Sequence, residues 1–163
     1  MIPIQLQDDL TSELKVLLKE ELFKTENYDQ EDEDSNKYIP LNIYAQNLPI
    51  ESRREGDNSF FPYMVVKLDR GTISNYASAH EVNVVIVLGI FDDSRDAQGH
   101  RDVLHIINMI YERFAKDPML NHQYMAKLPF NWALQDEDTE DYYFGGIEMT
   151  FEIPAVQKED EFA

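Results

Sequence analysis

The segment Val82-Asn-Val-Val-Ile-Val-Leu-Gly-Ile-Phe91 limits the possible folds of this chain more than any other. It is rich in β-branched residues, and from Val84 onward its apolar side chains do not alternate with polar ones. A strand with one wet face alternates, whereas a continuous apolar run needs cover on both faces. The segment therefore belongs inside a sheet. Helices supply one cover, and a loop or a neighbouring subunit supplies the other, which points toward self-association.

Leu10, Leu14, Leu17, Leu18 and Leu22 recur at helical spacing, which predicts a first amphipathic helix over residues 5–24. Residues 26–36 hold six acidic side chains and no aliphatic one, and the wider span 25–37 is expected to be a mobile acidic loop. Ile39, Leu41 and Ile43 alternate with Pro40, Asn42 and Tyr44, as in a half-buried strand that Pro40 confines to a start or an edge. Residues 51–59 are polar and read as a loop. Tyr63–Leu68 forms a second strand, with Asp69-Arg-Gly71 expected as its turn.

After Phe91, Asp92-Asp-Ser94 suits a helix N-cap. Val103, Ile106, Ile107, Ile110 and Phe114 mark a second helix ended by Asp117-Pro118. Leu104 and Tyr111 widen its apolar stripe, so it is expected to be the better buried of the two. Short strands are predicted around 124–127 and 132–134, followed by an acidic turn over 136–141. In the last strand Ile147, Met149, Phe151 and Ile153 face one way while Glu148, Thr150 and Glu152 face the other. Helix, three strands, helix and further strands imply an α+β fold, an antiparallel or mixed sheet with two main helices packed on it. One domain is expected over 1–156, with a disordered acidic tail over 157–163.

At 163 residues and 19.1 kDa the chain is long enough to bury a core without staples, and it contains no cysteine. That excludes thiol catalysis, disulfides and cysteine-ligated metals. No apolar run approaches the roughly 18 residues of a membrane span. The opening residues lack the pattern of a secretory signal, so an intracellular product without membrane attachment is expected. Thirty-two acidic residues against fourteen basic give a formal charge of −18. Such a surface repels phosphate, so tight nucleic-acid binding is disfavoured.

Motifs for chemistry are sparse. Neither GxxxxGK[ST] nor GxGxxG occurs, so no phosphate cradle is expected. Asp92, Ser94 and Asp96 match the first three positions of a calcium loop, but Ala97 replaces its glycine and Val103 its closing glutamate. His100 and His105 stand five apart on a helix and point in different directions, and no HExxH is present. Asp102 and His105 are spaced to pair on the helix surface. No serine sits in a nucleophile elbow. The reading is a non-enzymatic protein without cofactor or metal. A small metal-dependent hydrolase or nuclease built on unmarked carboxylates is the remaining catalytic alternative.

Aromatic residues cluster at strand starts: Phe60-Phe61-Pro-Tyr63, Pro129-Phe-Asn-Trp132 and Tyr142-Tyr143-Phe144. They fit sheet packing, and Phe60, Tyr63, Trp132, Tyr142 and Tyr143 are candidate anchors for a partner subunit.

Taken together, Asn42-Ile-Tyr-Ala-Gln-Asn-Leu-Pro49, Phe61-Pro-Tyr-Met-Val-Val66, Val87-Leu-Gly-Ile-Phe-Asp92, the turn with Gln98-Gly99, Asp102-Val-Leu-His-Ile-Ile107, Leu128-Pro-Phe-Asn-Trp132 and Tyr142–Phe151 resemble the tail terminator (tail completion) proteins of long, non-contractile-tailed phages and prophages of Gram-positive bacteria. The resemblance spans residues 39–153. Its acidic stretches 26–36 and 136–141 are longer and more charged than the family pattern. The resemblance implies a compact α+β subunit that assembles as a six-membered ring on the tail tube. The ring stops tube growth and meets the head-side connector, first in the host cytoplasm and then in the virion tail. Genome would pass through its centre, and a like-charged lumen would let DNA slide without sticking. Asp136, Glu137, Asp138, Asp141, Glu148 and Glu152 are the candidate lumen-facing acids. Another head–tail joining component of similar size is the alternative within virion assembly.

Overall fold

The computed structural model describes residues 3–26, 37–50, 60–135 and 139–155. The elements run α1 (Pro3–Leu18), β1 (Phe23–Lys24), β2 (Tyr38–Ile39), β3 (Asn42–Ala45), β4 (Tyr63–Thr72), β5 (His80–Phe91), α2 (His100–Lys116), β6 (Met119–Leu120), β7 (Tyr124–Leu134) and β8 (Tyr142–Ile153). Six strands form one mixed sheet in the order β3-β4-β5-β8-β7-β6. Only the β3–β4 pair is parallel. β1 and β2 make a separate two-stranded ribbon. The fold is α+β, as the element order implies.

Both helices lie on one face of the sheet. Leu6, Leu10, Leu14 and Leu18 of α1 and Val103, Ile106, Ile107, Ile110 and Phe114 of α2 are buried against Val84, Ile86, Leu88, Ile147, Met149 and Phe151. Each such side chain withdrawn from water contributes about 1.5–3 kcal/mol before entropy is subtracted. The Phe114 and Phe151 rings meet edge to face at 5.4 Å. Arg113 ties the layer together: its Nε donates to Glu13 Oε1 at 2.5 Å and its Nη1 to the Asp117 carbonyl at 2.6 Å.

β5 sits at the centre of the sheet, between β4 and β8. Val82, Val84, Ile86, Leu88 and Ile90 point into the helix-covered core and are all buried. On the opposite face Val85 and Val87 are half-buried, while Gly89 and Phe91 are buried. The expected second cover is therefore supplied in part by the chain itself.

Several local expectations change. α1 stops at Leu18, and Leu22 is 55% exposed, because the chain turns at 19–20 and enters β1. Pro40, which cannot donate a ladder hydrogen bond, separates β2 from β3 where one strand was expected. β4 continues through Asp69-Arg-Gly71 by way of a bulge between Leu68 and Arg70, so the turn lies beyond Thr72. Asp92 does not cap α2. Its Oδ1 accepts the Ser94 N–H at 3.0 Å in a local turn, and the helix starts at His100 after Gly99. The strands expected at 124–127 and 132–134 are one strand with an irregularity between Lys127 and Asn131.

Candidate functional site

The face of the sheet away from the helices divides into two halves. At the end formed by the start of β4, the end of β5 and the start of β8, an aromatic cluster gathers Phe61, Tyr63, Val65 and Phe91 with Tyr44, Leu48, Phe60, Val87, Tyr142 and Phe144. The Phe61 ring centre lies 4.8 Å from those of Phe60 and Tyr142, and 5.0 Å from that of Tyr63. A Cβ placed on Gly89 would stand 2.1 Å from Tyr63 Cε1, so glycine is required where the tyrosine ring crosses β5. The Tyr142 hydroxyl donates to Glu26, and burial followed by that carboxylate raises its pKa to about 12.

The other half of this face is charged. Lys127 Nζ lies 2.7 Å from Glu152 Oε1 and 3.1 Å from Glu81 Oε1, bridging β7, β8 and β5. Its pKa is raised, first by Glu152 and then by Glu81. Asn83 donates to Asp69 at 3.0 Å. Glu148 is exposed, opposite Val85 on one side and Asn131 on the other. Glu148 and Glu152 therefore share a face, but Glu152 is paired with Lys127, which it shares with Glu81. Asp141 has φ 72° and precedes β8, seven positions before Glu148, which is ~23 Å of strand. The structure does not bring it to the other two. Asp136, Glu137 and Asp138 lie outside the described residues.

The candidate anchor aromatics separate in the same way. Tyr63 is buried, and Phe60 and Tyr142 are half-buried in the chain's own cluster. Tyr143 lies on the helix side, where its ring covers Gly99. Trp132, with 55% of its surface exposed, is the one that faces solvent. It closes a groove of about 380 Å³ with Leu104, Ile107, Asn108, Tyr111 and Phe130. A neighbouring groove of about 370 Å³ shares Tyr111 and Phe130 and adds Leu128, which is 79% exposed. Leu104 and Tyr111, expected to deepen the burial of α2, line these grooves instead, and Tyr111 is 45% exposed. The extra width of the helical stripe was the available signal for this surface. Ile73 and Tyr76, at 63% and 89% exposure in the β4–β5 connection, carried no such signal because they belong to no periodic pattern.

A second group of carboxylates around one lysine, besides the Glu81–Lys127–Glu152 group, lies at the start of the loop after β5. There the Lys24 ammonium lies 3.0 Å from Asp93, 3.5 Å from Asp92 and 3.2 Å from Ser94 Oγ. Burial pushes Asp92 up, but Ser94 and Lys24 outweigh it and hold the carboxyl below its ordinary range. Asp102 is raised by burial and then by Asp92. His105 pairs with Glu21 at 3.2 Å rather than with Asp102. Among the described residues no group of His, Asp and Glu converges to hold a metal ion, and no helix is long and apolar enough to cross a membrane. No known family model and no curated protein matches the chain.

Proposed function

We propose that this protein is a structural component of virion assembly that caps a phage tail tube, stops its polymerisation and forms the head-proximal joining surface as a hexameric ring. The observation that carries the reading is the apolar surface at the β7 edge, where Trp132, Leu128 and Tyr111 stand exposed on a chain of charge −18. Exposed aromatic and aliphatic groups beside a groove are what a subunit contact uses. The sequence resemblance supports the same reading, because its segments supply both flanks of the six-stranded sheet as well as its centre. Glu148, on the exposed charged half of the open face, is the described acid that best suits a lumen that DNA must traverse without adhesion.

The test is tube growth. Tail tube protein polymerising in the presence of this chain should give tubes of arrested length, each bearing density at one end in negative stain. Unchanged tube lengths with binding to the head-side connector would move the protein to a head–tail joining role. Unchanged lengths without connector binding would refute the proposal.

A further inference from the structure

The two outermost long edges of the sheet are unusual in this chain for their lack of charge. The longest stretch without a charged residue is Tyr38–Ile50, thirteen residues that include β3. Pro118–Gln135, eighteen residues that include β6 and β7, carries one charge, Lys127, whose ammonium is engaged on the open face. Lone edge strands are normally guarded by charge against pairing with other chains. Here an acidic chain withholds charge from both edges.

Each edge also offers free ladder groups. β6 pairs with β7 at Tyr124 and Met125 only, so among the described residues Lys127–Leu134 has no strand on its outer side. Residues of an antiparallel ladder alternate between bonding to the neighbour and turning away from it. Gln135 N–H donates to the Phe144 carbonyl, so Trp132 and Leu134 turn their N–H and C=O groups outward. On β3, Asn42 N–H donates to Pro62 and Gln46 N–H to Val66, which turns Ile43 and Ala45 outward. The Ala45 carbonyl already accepts the Asn47 N–H at 2.8 Å, so β3 offers the Ile43 N–H and C=O and the Ala45 N–H. β3 runs parallel to β4, and β7 runs antiparallel to it through β5 and β8. A second copy displaced sideways in the plane of the sheet would thus lay its β3 antiparallel against β7 of the first.

The helix layer selects this head-to-tail pairing over a symmetric one. The groove of about 360 Å³ between α1 and β3 is flanked by Lys15 and Lys19. The groove beside β7 is flanked on α2 by Asn108, which is held at 3.3 Å by Glu112. Joining β3 to β7 sets lysines against a glutamate, whereas joining like edges sets lysine against lysine or glutamate against glutamate. A head-to-tail contact closes a ring when the rotation between neighbours divides the full circle and otherwise runs on as an open filament, so it is the type of contact a ring requires.

We infer that the occupant of each edge is a second copy of this chain, with β3 of one protomer adding to the Asn131–Leu134 segment of the next and Trp132 seated at the junction. The inference rests on the ring reading above and names its interface.

The absence of native cysteine allows a direct test. Ala45→Cys and Ala133→Cys, both at exposed positions, would be made singly and together and treated with a flexible bismaleimide that spans either face of the ladder, both free in solution and on tail tubes. The double variant is expected to give a ladder of covalent multimers, and each single variant no covalent dimer. Trp132→Glu should weaken self-association about tenfold or more by light scattering. Lys15→Glu with Lys19→Glu should weaken it as well, and adding Glu112→Lys should restore it. Covalent dimers from either single variant would overturn the head-to-tail pairing. Rings seen by microscopy with no ladder from the double variant would overturn the edge assignment while leaving the tube-capping function standing. A chain that stays monomeric both alone and on tubes would overturn both.

Discussion

The two faces of the sheet use the same strands to opposite ends. On the helix side, β5 and β8 present Val84, Ile86, Leu88, Ile147, Met149 and Phe151, all buried under two helices. On the open side the same strands change character part-way along. Val87, Gly89, Phe91, Tyr142 and Phe144 join an aromatic cluster, while Glu81, Asn83, Glu148, Thr150 and Glu152 form a polar surface. The covered face defines the fold, since removing any part of it leaves a cavity. The open face is only half committed to the fold, and its charged half and its edges remain available for contacts with other molecules.

This contrast can be broken most severely from the covered side. Phe151→Ala removes a fully buried ring that packs on Phe114, and should cost about 3–5 kcal/mol in urea unfolding. An effect below about 1 kcal/mol would show that the helix face is not the main source of stability. Gly89→Ala tests the aromatic half of the open face. The added methyl collides with the Tyr63 ring, and the expected cost is about 1–3 kcal/mol. Combining it with Tyr63→Ala should recover part of that loss, because the two substitutions share one contact.

A smaller effect is expected at high pH. Tyr142 titrates in the folded protein at about 12, above its ordinary 10.0. Folding thus favours the protonated phenol. The stability it contributes is present in full below pH 10 and is lost as pH rises toward 12. Tyr142→Phe should make alkaline unfolding less steep across that window, and an unchanged pH profile would remove the Glu26 contact from the account. Glu148→Gln, on the exposed charged half, should change stability by less than about 0.5 kcal/mol. If Glu148 faces the lumen, that variant should nevertheless alter genome passage in an infectivity assay.

Much of the covered face was legible in the sequence. The leucine stripe of α1, the isoleucine stripe of α2 and the alternation of β8 are periodic signals set by local geometry, and each led to the buried residues observed. The ends of elements were less legible. Leu22 continued the stripe in sequence but fell outside α1, and Asp92-Asp-Ser94 had the chemistry of a cap without standing next to the helix. The aromatic residues were the least legible. Tyr142 and Tyr143 are adjacent, yet one joins the open-face cluster and the other covers Gly99 on the helix side.

The sequence by itself determined that the chain is an α+β domain around a strand needing cover on both faces, because side-chain period and burial are linked within a few residues. Only the tertiary structure decided what supplies the second cover, which acids share a face, and which aromatic remains exposed. Those outcomes depend on strand order and register between segments distant in the chain. Phe61 meets Tyr142 and Lys127 meets Glu81 because β5 and β8 lie side by side, with β4 and β7 flanking them, and no local pattern in the sequence encodes that adjacency.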